Sequence, residues 1–359
     1  MNLEAAAGPL RFAAHSIFIP YRDPFRIARS HGGDGMTSVI LELRHAEWPD
    51  LVGYGEGYPD AYYGETVYTM AAVLPALFAS IEAGTLDADV AGAEAALAAV
   101  AEAFNETIAH HGAAKCALDI ALHDLLGKRL GIPVHRLLGL SADIPPTDFT
   151  IGIDEPEVVA ARAERASHFP ALKIKVGGPR DLETLEAVRR VFTGPIRIDA
   201  NTAWEPEGGA KLIPDLVRLG VELIEQPFPR HRLDQMGWLQ ERSELPIVAD
   251  ESAVTIDDLE GLVGVVRGVN VKLAKCGGVG PAKRMLERAR DLGFKRFEGC
   301  MEETRVGISA SAAVASLADW VDLDGCLLLA SDPFEGLELD ADHRWQLTDR
   351  PGLGVRPVS

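Results

Sequence analysis

Eight short β-rich runs recur through the last two thirds of the chain, and their spacing constrains the fold more than any other feature. They are TDFTIGI (147–153), ALKIKVG (171–177), IRIDAN (196–201), LIEQPF (223–228), PIVADES (246–252), GVNVKLAK (268–275), KRFEGCM (295–301) and WVDLDG (320–325). Their starts lie 22 to 27 residues apart, with helical patterns between them. That spacing accommodates one strand, one crossover helix and two short connections. Eight such units predict an α/β chain closed into a (β/α)8, TIM-like barrel. An open doubly wound sheet is the alternative, but it usually carries a G-x-G-x-x-G turn after its first strand, and the chain has none there.

The first third has a different rhythm. Three β-like runs, 11–21, 38–48 and 51–59, precede helical patterns in ETVYTMAAVLPALFASIEAG, DVAGAEAALAAVAEAF and GAAKCALDIALHDLLGKRLG. Apolar residues three and four apart carry the helical reading. HGGDGMT (31–37), between the first two runs, is expected to form a mobile loop. Residues 1–130 therefore read as an α+β capping domain over a barrel spanning 131–330. The tail 331–359 has short strands and turns and is expected to return and complete the first domain.

The formal net charge of −19 excludes a nucleic-acid partner, because phosphate neutralisation needs a basic surface. No stretch reaches the ~18 apolar residues of a membrane helix, so no membrane partner is expected. MNLEAAAGPLRF lacks the apolar run of a signal peptide. Cys116, Cys276, Cys300 and Cys326 form no C-x-x-C pair and read as buried free thiols in a reducing compartment. These features point to a cytoplasmic protein, and a homo-oligomer is expected.

Charged residues sit at or near the C-terminal end of six of the eight runs, the end that forms the active face of such barrels. Runs three, four and five supply Asp199, Glu225 and Asp250. One acid could be a helix cap, but three on consecutive strands converge on one side of the barrel mouth. All-oxygen ligation suits Mg²⁺. Run two carries Lys173 and Lys175, which share a face at strand period two. Run six carries Lys272, four strands away in a ring of eight and hence opposite. Lys275 is its rival, although an odd offset from Lys272 turns it off that face. Asp322 and Asp324 end run eight and could grip a substrate ammonium, or could form a loop or N-cap pair.

Together K-I-K (173–175), D-A-N (199–201), E-Q-P (225–227), A-D-E-S (249–252), N-V-K-L-A-K-C-G-G (270–278) and G-C-M-E-E-T (299–304) resemble the muconate lactonizing subgroup of the enolase superfamily. G-Y-G-E-G-Y-P (53–59) and A-L-D-I-A-L-H-D-L-L-G-K (117–128) resemble its capping region. The resemblance implies one Mg²⁺ held by Asp199, Glu225 and Asp250. It implies an acid/base pair in Lys175 and Lys272, with Lys173 steadying the negative charge of an enediolate. D-L-D-G (322–325) is similar to the D-x-D signature of dipeptide epimerases of the L-Ala-D/L-Glu type, in which the aspartates bind the substrate ammonium.

The expected activity is therefore isomerase chemistry, inversion of the C-terminal α-carbon of an L,L-dipeptide by 1,1-proton transfer. Glu298 and Glu302 flank Gly-Cys-Met and could recognise a Lys or Arg side chain, or could be structural acids. Arg26, Arg29 and Tyr62 lie in stretches expected to close over the site, where an arginine would favour an acidic dipeptide. The rival readings are an N-acylamino-acid racemase, a cycloisomerase or an o-succinylbenzoate synthase of the same subgroup, or a non-catalytic metal- or ligand-binding barrel.

Overall fold

The computed structural model describes residues 1–29 and 33–358. Its first 57 residues build an antiparallel sheet in sequential order, β1 (Asn2–Ala7), β2 (Leu10–Phe25), β3 (Gly33–His45) and β4 (Trp48–Gly57). The inward positions of β2 and β3, such as Phe12, Val39, Leu41 and Leu43, alternate with exposed ones. One face thus packs on helices; the other is exposed in part, but its Ser38, Ile40 and Glu56 are buried, Ile40 within the barrel's apolar cluster. The short strand β1 has no counterpart in the sequence reading, because its alanines carry almost no β-propensity. Part of the expected loop HGGDGMT is also strand. His31 and Gly32 lie outside the described residues, while Gly33–Thr37 already pair with β2, Gly35 facing Pro20.

Helices α1 (Val67–Ala79), α2 (Ala93–Thr107) and α3 (Gly112–Leu130) cover the apolar face of the sheet. Helix α3 lies closest to β4. A Cβ at Gly53, Gly55 or Gly57 would overlap the carbonyl oxygen of Ala121, Ala117 or Ala113 in turn. Two residues of strand rise about 6.8 Å and four residues of helix about 6 Å, so the two rows keep step. Sixteen consecutive residues of α3 are buried, from Gly112 to Gly127. A helix buried on all sides sits between layers, and α3 stands between the sheet and the barrel.

The barrel strands follow in order: β5 (Phe149–Ile151), β6 (Leu172–Lys175), β7 (Ile196–Asp199), β8 (Val221–Glu225), β9 (Ile247–Ala249), β10 (Gly268–Lys272), β11 (Lys295–Gly299) and β12 (Trp320–Asp322). All eight runs read from the sequence are present, each neighbour is parallel to the last, and a bridge between Thr147 and Val321 closes the ring. Leu223, Val248 and Phe297 fill its interior below the charged rim. The tail touches both parts: Leu353 N donates to Asp124 of α3 (2.8 Å), and the Trp345 indole donates to Leu323 O beside β12 (2.8 Å). Among the described residues, no helix is long and apolar enough to cross a membrane.

Candidate active site

Strand register places the site. Inward positions alternate, so Lys173 and Lys175 of β6, Asp199 of β7, Glu225 of β8 and Lys272 of β10 rise on the barrel's inner face. Asp250 and Asp322 join them at the ends of β9 and β12. Carboxylate oxygens of Asp199, Glu225 and Asp250 lie within 4.8 Å of one another, and all three residues are buried. Burial, followed by the adjacent Asp199, pushes the Glu225 carboxyl up to about 7. Its Oε2 lies 2.7 Å from the Lys173 ammonium yet receives no aligned hydrogen bond. A compact set of buried oxygens with an undersatisfied member fits a hard divalent cation.

The residues between the acids hold them in place. Asn201 donates from its backbone and side chain to Asp199 (2.9 and 3.2 Å) and reaches Glu251 (3.3 Å). The Gln226 side chain accepts from Asp250 N and Ser252 N (2.9 and 3.0 Å) and donates to Ser252 Oγ. Asn270 donates to Glu225 Oε1 (2.8 Å). Asn201, Thr202 and Gln226 have φ of 40°, 71° and 33°, a region costly for such residues and tolerated where the surroundings enforce it. The motifs D-A-N and E-Q-P therefore each combine one acid with the amide that orients its neighbours.

The three lysines meet these acids from different sides. Lys175 Nζ lies 2.6 Å from Asp199, Lys272 Nζ 2.9 Å from Asp250, and Lys173 Nζ 2.6 Å from Asp322. Burial opposes the charge of Lys173 and of Lys272, but the surrounding carboxylates outweigh it and hold both ammoniums above the usual lysine range. Lys275 is elsewhere. The strand ends at Lys272, and Lys275 sits on the turn of helix Leu273–Cys276, where it donates to Asp250 Oδ1 (2.5 Å) and to the carbonyls of Asp250, Ala253 and Asn270. It fixes Asp250 from beneath.

Lys173, Lys175, Lys272, Asp322, Asp324 and Glu302 all line one cavity of about 670 Å³ under the capping domain. Thr150 of β5 supports the aspartates, its hydroxyl donating to Asp322 (3.1 Å) and its N–H to Asp324 (2.5 Å). Below them Arg197 pairs with Asp148 (2.8 Å), a buried pair that the sequence reading did not identify. Tyr21, Tyr58, Arg29, Asp60 and Tyr62 close the cavity from the capping side.

Two expected contacts are corrected. Glu298 is fully buried, but Phe297 and Gly299 occupy the inward positions of β11, so Glu298 faces the outer helical layer near Lys275 and Cys276. Arg26 is exposed and outside the cavity, contributing only its carbonyl to Ile153 N (2.8 Å). Arg29, three residues on, is the arginine of the wall.

Two family models match the chain: "Mandelate racemase / muconate lactonizing enzyme, N-terminal domain" over residues 16–139 and "Enolase C-terminal domain-like" over 157–358. An L-Ala-D/L-Glu epimerase of Bacteroides thetaiotaomicron is 38% identical, covering 95% of this chain and 87% of the relative. An L-Lys-D/L-Arg epimerase of Methylococcus capsulatus is 35% identical, covering 94% and 95%. The dipeptide epimerase of Enterococcus faecalis, solved with Mg and L-Leu-L-Tyr, superposes with a TM-score of 0.87 at 32% identity, covering 96% of this chain and 98% of that one. With both halves matched and relatives spanned nearly end to end, the chain belongs to the mandelate racemase/muconate lactonizing enzyme family of the enolase superfamily.

Proposed function

We propose that this chain is a Mg²⁺-dependent dipeptide epimerase that inverts the α-carbon of the C-terminal residue of an L,L-dipeptide. The observation that carries this reading is a cavity lined by Lys175 and Lys272 on strands four apart, with three clustered carboxylates paired to its lysines and an aspartate pair at and just beyond the end of the eighth strand. Relatives with that activity in their names support it.

In this reading Asp199, Glu225 and Asp250 hold the ion. When bound, it supplies positive charge beside the substrate carboxylate and lowers the cost of removing the adjacent proton. Lys175 and Lys272 take the α-proton from one face and return one to the other. Lys173 contributes fixed positive charge that needs no rearrangement during reaction. Asp322 and Asp324 accept the substrate ammonium through charge-assisted hydrogen bonds. The four cysteines are free, which fits a reducing compartment such as the cytoplasm.

The test is a screen of L,L-dipeptides in D₂O with Mg²⁺, followed by mass. One deuterium should enter the active dipeptides, and Lys175→Ala or Lys272→Ala should each slow inversion by on the order of 10³-fold. Exchange restricted to N-acylated amino acids would redirect the assignment to a racemase of the same family. No exchange in any dipeptide refutes the reading.

A further inference from the structure

Apart from the lysines, the Asp322/Asp324 pair and Asp60, which lies against Arg29, the cavity wall carries two charged groups that could choose a substrate side chain, Arg29 and Glu302. They select opposite substrates. An available guanidinium would favour an acidic side chain, and an available carboxylate a basic one.

Arg29 is already engaged. Its guanidinium pairs with Glu251, lies 3.4 Å from Asp60 and stacks over the Tyr62 ring at 4.3 Å. Glu251 is fully buried, and removing its partner would leave a carboxylate uncompensated beside Asp250 and Asp199. Arg29 therefore latches the turn after β2 to the barrel. The wall lysines are likewise paired with Asp199, Asp250, Glu225 and Asp322.

Glu302 differs from each of them. Among the described residues it has no ion-pair partner, although it is half-buried at the cavity wall. The Tyr58 hydroxyl reaches it, and Tyr21 adjoins Tyr58. Its backbone is held on both sides, since Met301 N donates to Glu303 and Thr304 N to the buried Glu56, each at 3.1 Å. The carboxylate is thus presented on a fixed segment and needs little ordering on binding. The two tyrosine rings offer flat apolar surface suited to a methylene stem with a cationic tip.

We infer that Glu302 is the side-chain receptor of this cavity and that the preferred substrates are dipeptides bearing a lysine- or arginine-like cation. The inference rests on the epimerase reading and narrows it. With Asp322 and Asp324 taken by the substrate ammonium, a cation at Glu302 would satisfy the remaining unpaired carboxylate of the described wall without disturbing the Arg29 latch.

The experiment compares kcat/KM for deuterium exchange of Ala-Lys and Lys-Ala with their methionine counterparts and with Ala-Glu, in D₂O with Mg²⁺. The better lysine dipeptide should exceed its methionine counterpart by about 10- to 100-fold, the range of a charged hydrogen bond. Which of the two is better reports which substrate residue faces Glu302. In Glu302→Gln the lysine-to-methionine ratio should collapse toward unity, whatever the absolute rate. A ratio near unity in the parent protein, a preference for Ala-Glu, or a ratio preserved in Glu302→Gln overturns the inference while leaving the epimerase reading intact. Should the variant not fold, the parent ratios still decide. Absence of exchange in every dipeptide overturns both readings.

Discussion

Asp322 and Asp324 are two residues apart, and the protein gives them opposite electrostatic surroundings. Burial opposes the Asp322 charge, yet Lys173 outweighs it and holds the carboxyl well below the usual range. Asp324 has no such partner. Burial, then the charge of Asp322, pushes it up to about 8. If Asp324 must be ionised to grip an ammonium, the free enzyme loses its receptor as pH falls through about 8. The acidic limb of kcat/KM should therefore drop about tenfold per pH unit below that value. Asp324→Asn should lower kcat/KM and abolish that limb. A parent profile flat from pH 6 to 8 would count against the role. The D-x-D spacing was legible in the sequence because period two sets which side chains share a face. Thr150, Asp148 and Arg197, which brace the pair, were not. Asp148 and Thr150 flank the start of β5, Arg197 lies on β7, and only closure of the ring brings them beside β12.

At the level of strands and helices, alternation decided what length and composition could not. All eight barrel strands were readable because short apolar runs recur at nearly constant spacing. Glu298 was misplaced because its strand's parity could not be set from sequence: Phe297 and Glu298 are neighbours on one short strand, and either could have faced inward. The capping motif G-Y-G-E-G-Y-P combines two functions on alternate faces of β4. Its glycines admit α3, and Glu56 between them points the other way. There it accepts from Thr304 N and Gly307 N (3.1 and 3.0 Å) at the start of the barrel helix Arg305–Ala312. The glycine face makes a firm prediction. Gly55→Ala would drive a methyl into the Ala117 carbonyl, and backbone on both sides leaves no flexible group to yield. Overpacking of this kind costs about 3 kcal/mol. The expected result is a lower denaturant midpoint with an unchanged slope. Gly208 meets nothing within 4 Å, so Gly208→Ala is the control and should not be destabilised.

On the scale of the whole molecule, the candidate active face joins two modules that share few features in sequence. The barrel supplies acids and lysines from seven of its strands or their ends, and the capping domain supplies Tyr21, Arg29, Tyr58 and Tyr62. The first set announced itself through polar residues at strand ends. The second did not, because arginines and tyrosines in a connecting stretch have the composition of any solvated loop. Arg29 ties the modules beside the candidate metal centre, since Glu251 adjoins Asp250 and also accepts from Asn201. Cation binding should therefore be felt in global stability as well as in turnover. A ligand that binds only the folded state stabilises it by about 2.7 kcal/mol at a hundredfold excess over its Kd. Mg²⁺ should raise Tm in a saturable manner, and chelation should reverse the rise. Glu225→Gln, which weakens one oxygen donor while preserving shape, should shift the saturation to higher Mg²⁺. A Tm indifferent to Mg²⁺ in the parent protein would argue that the three carboxylates do not form its metal site, since a folded-state ligand cannot bind without stabilising.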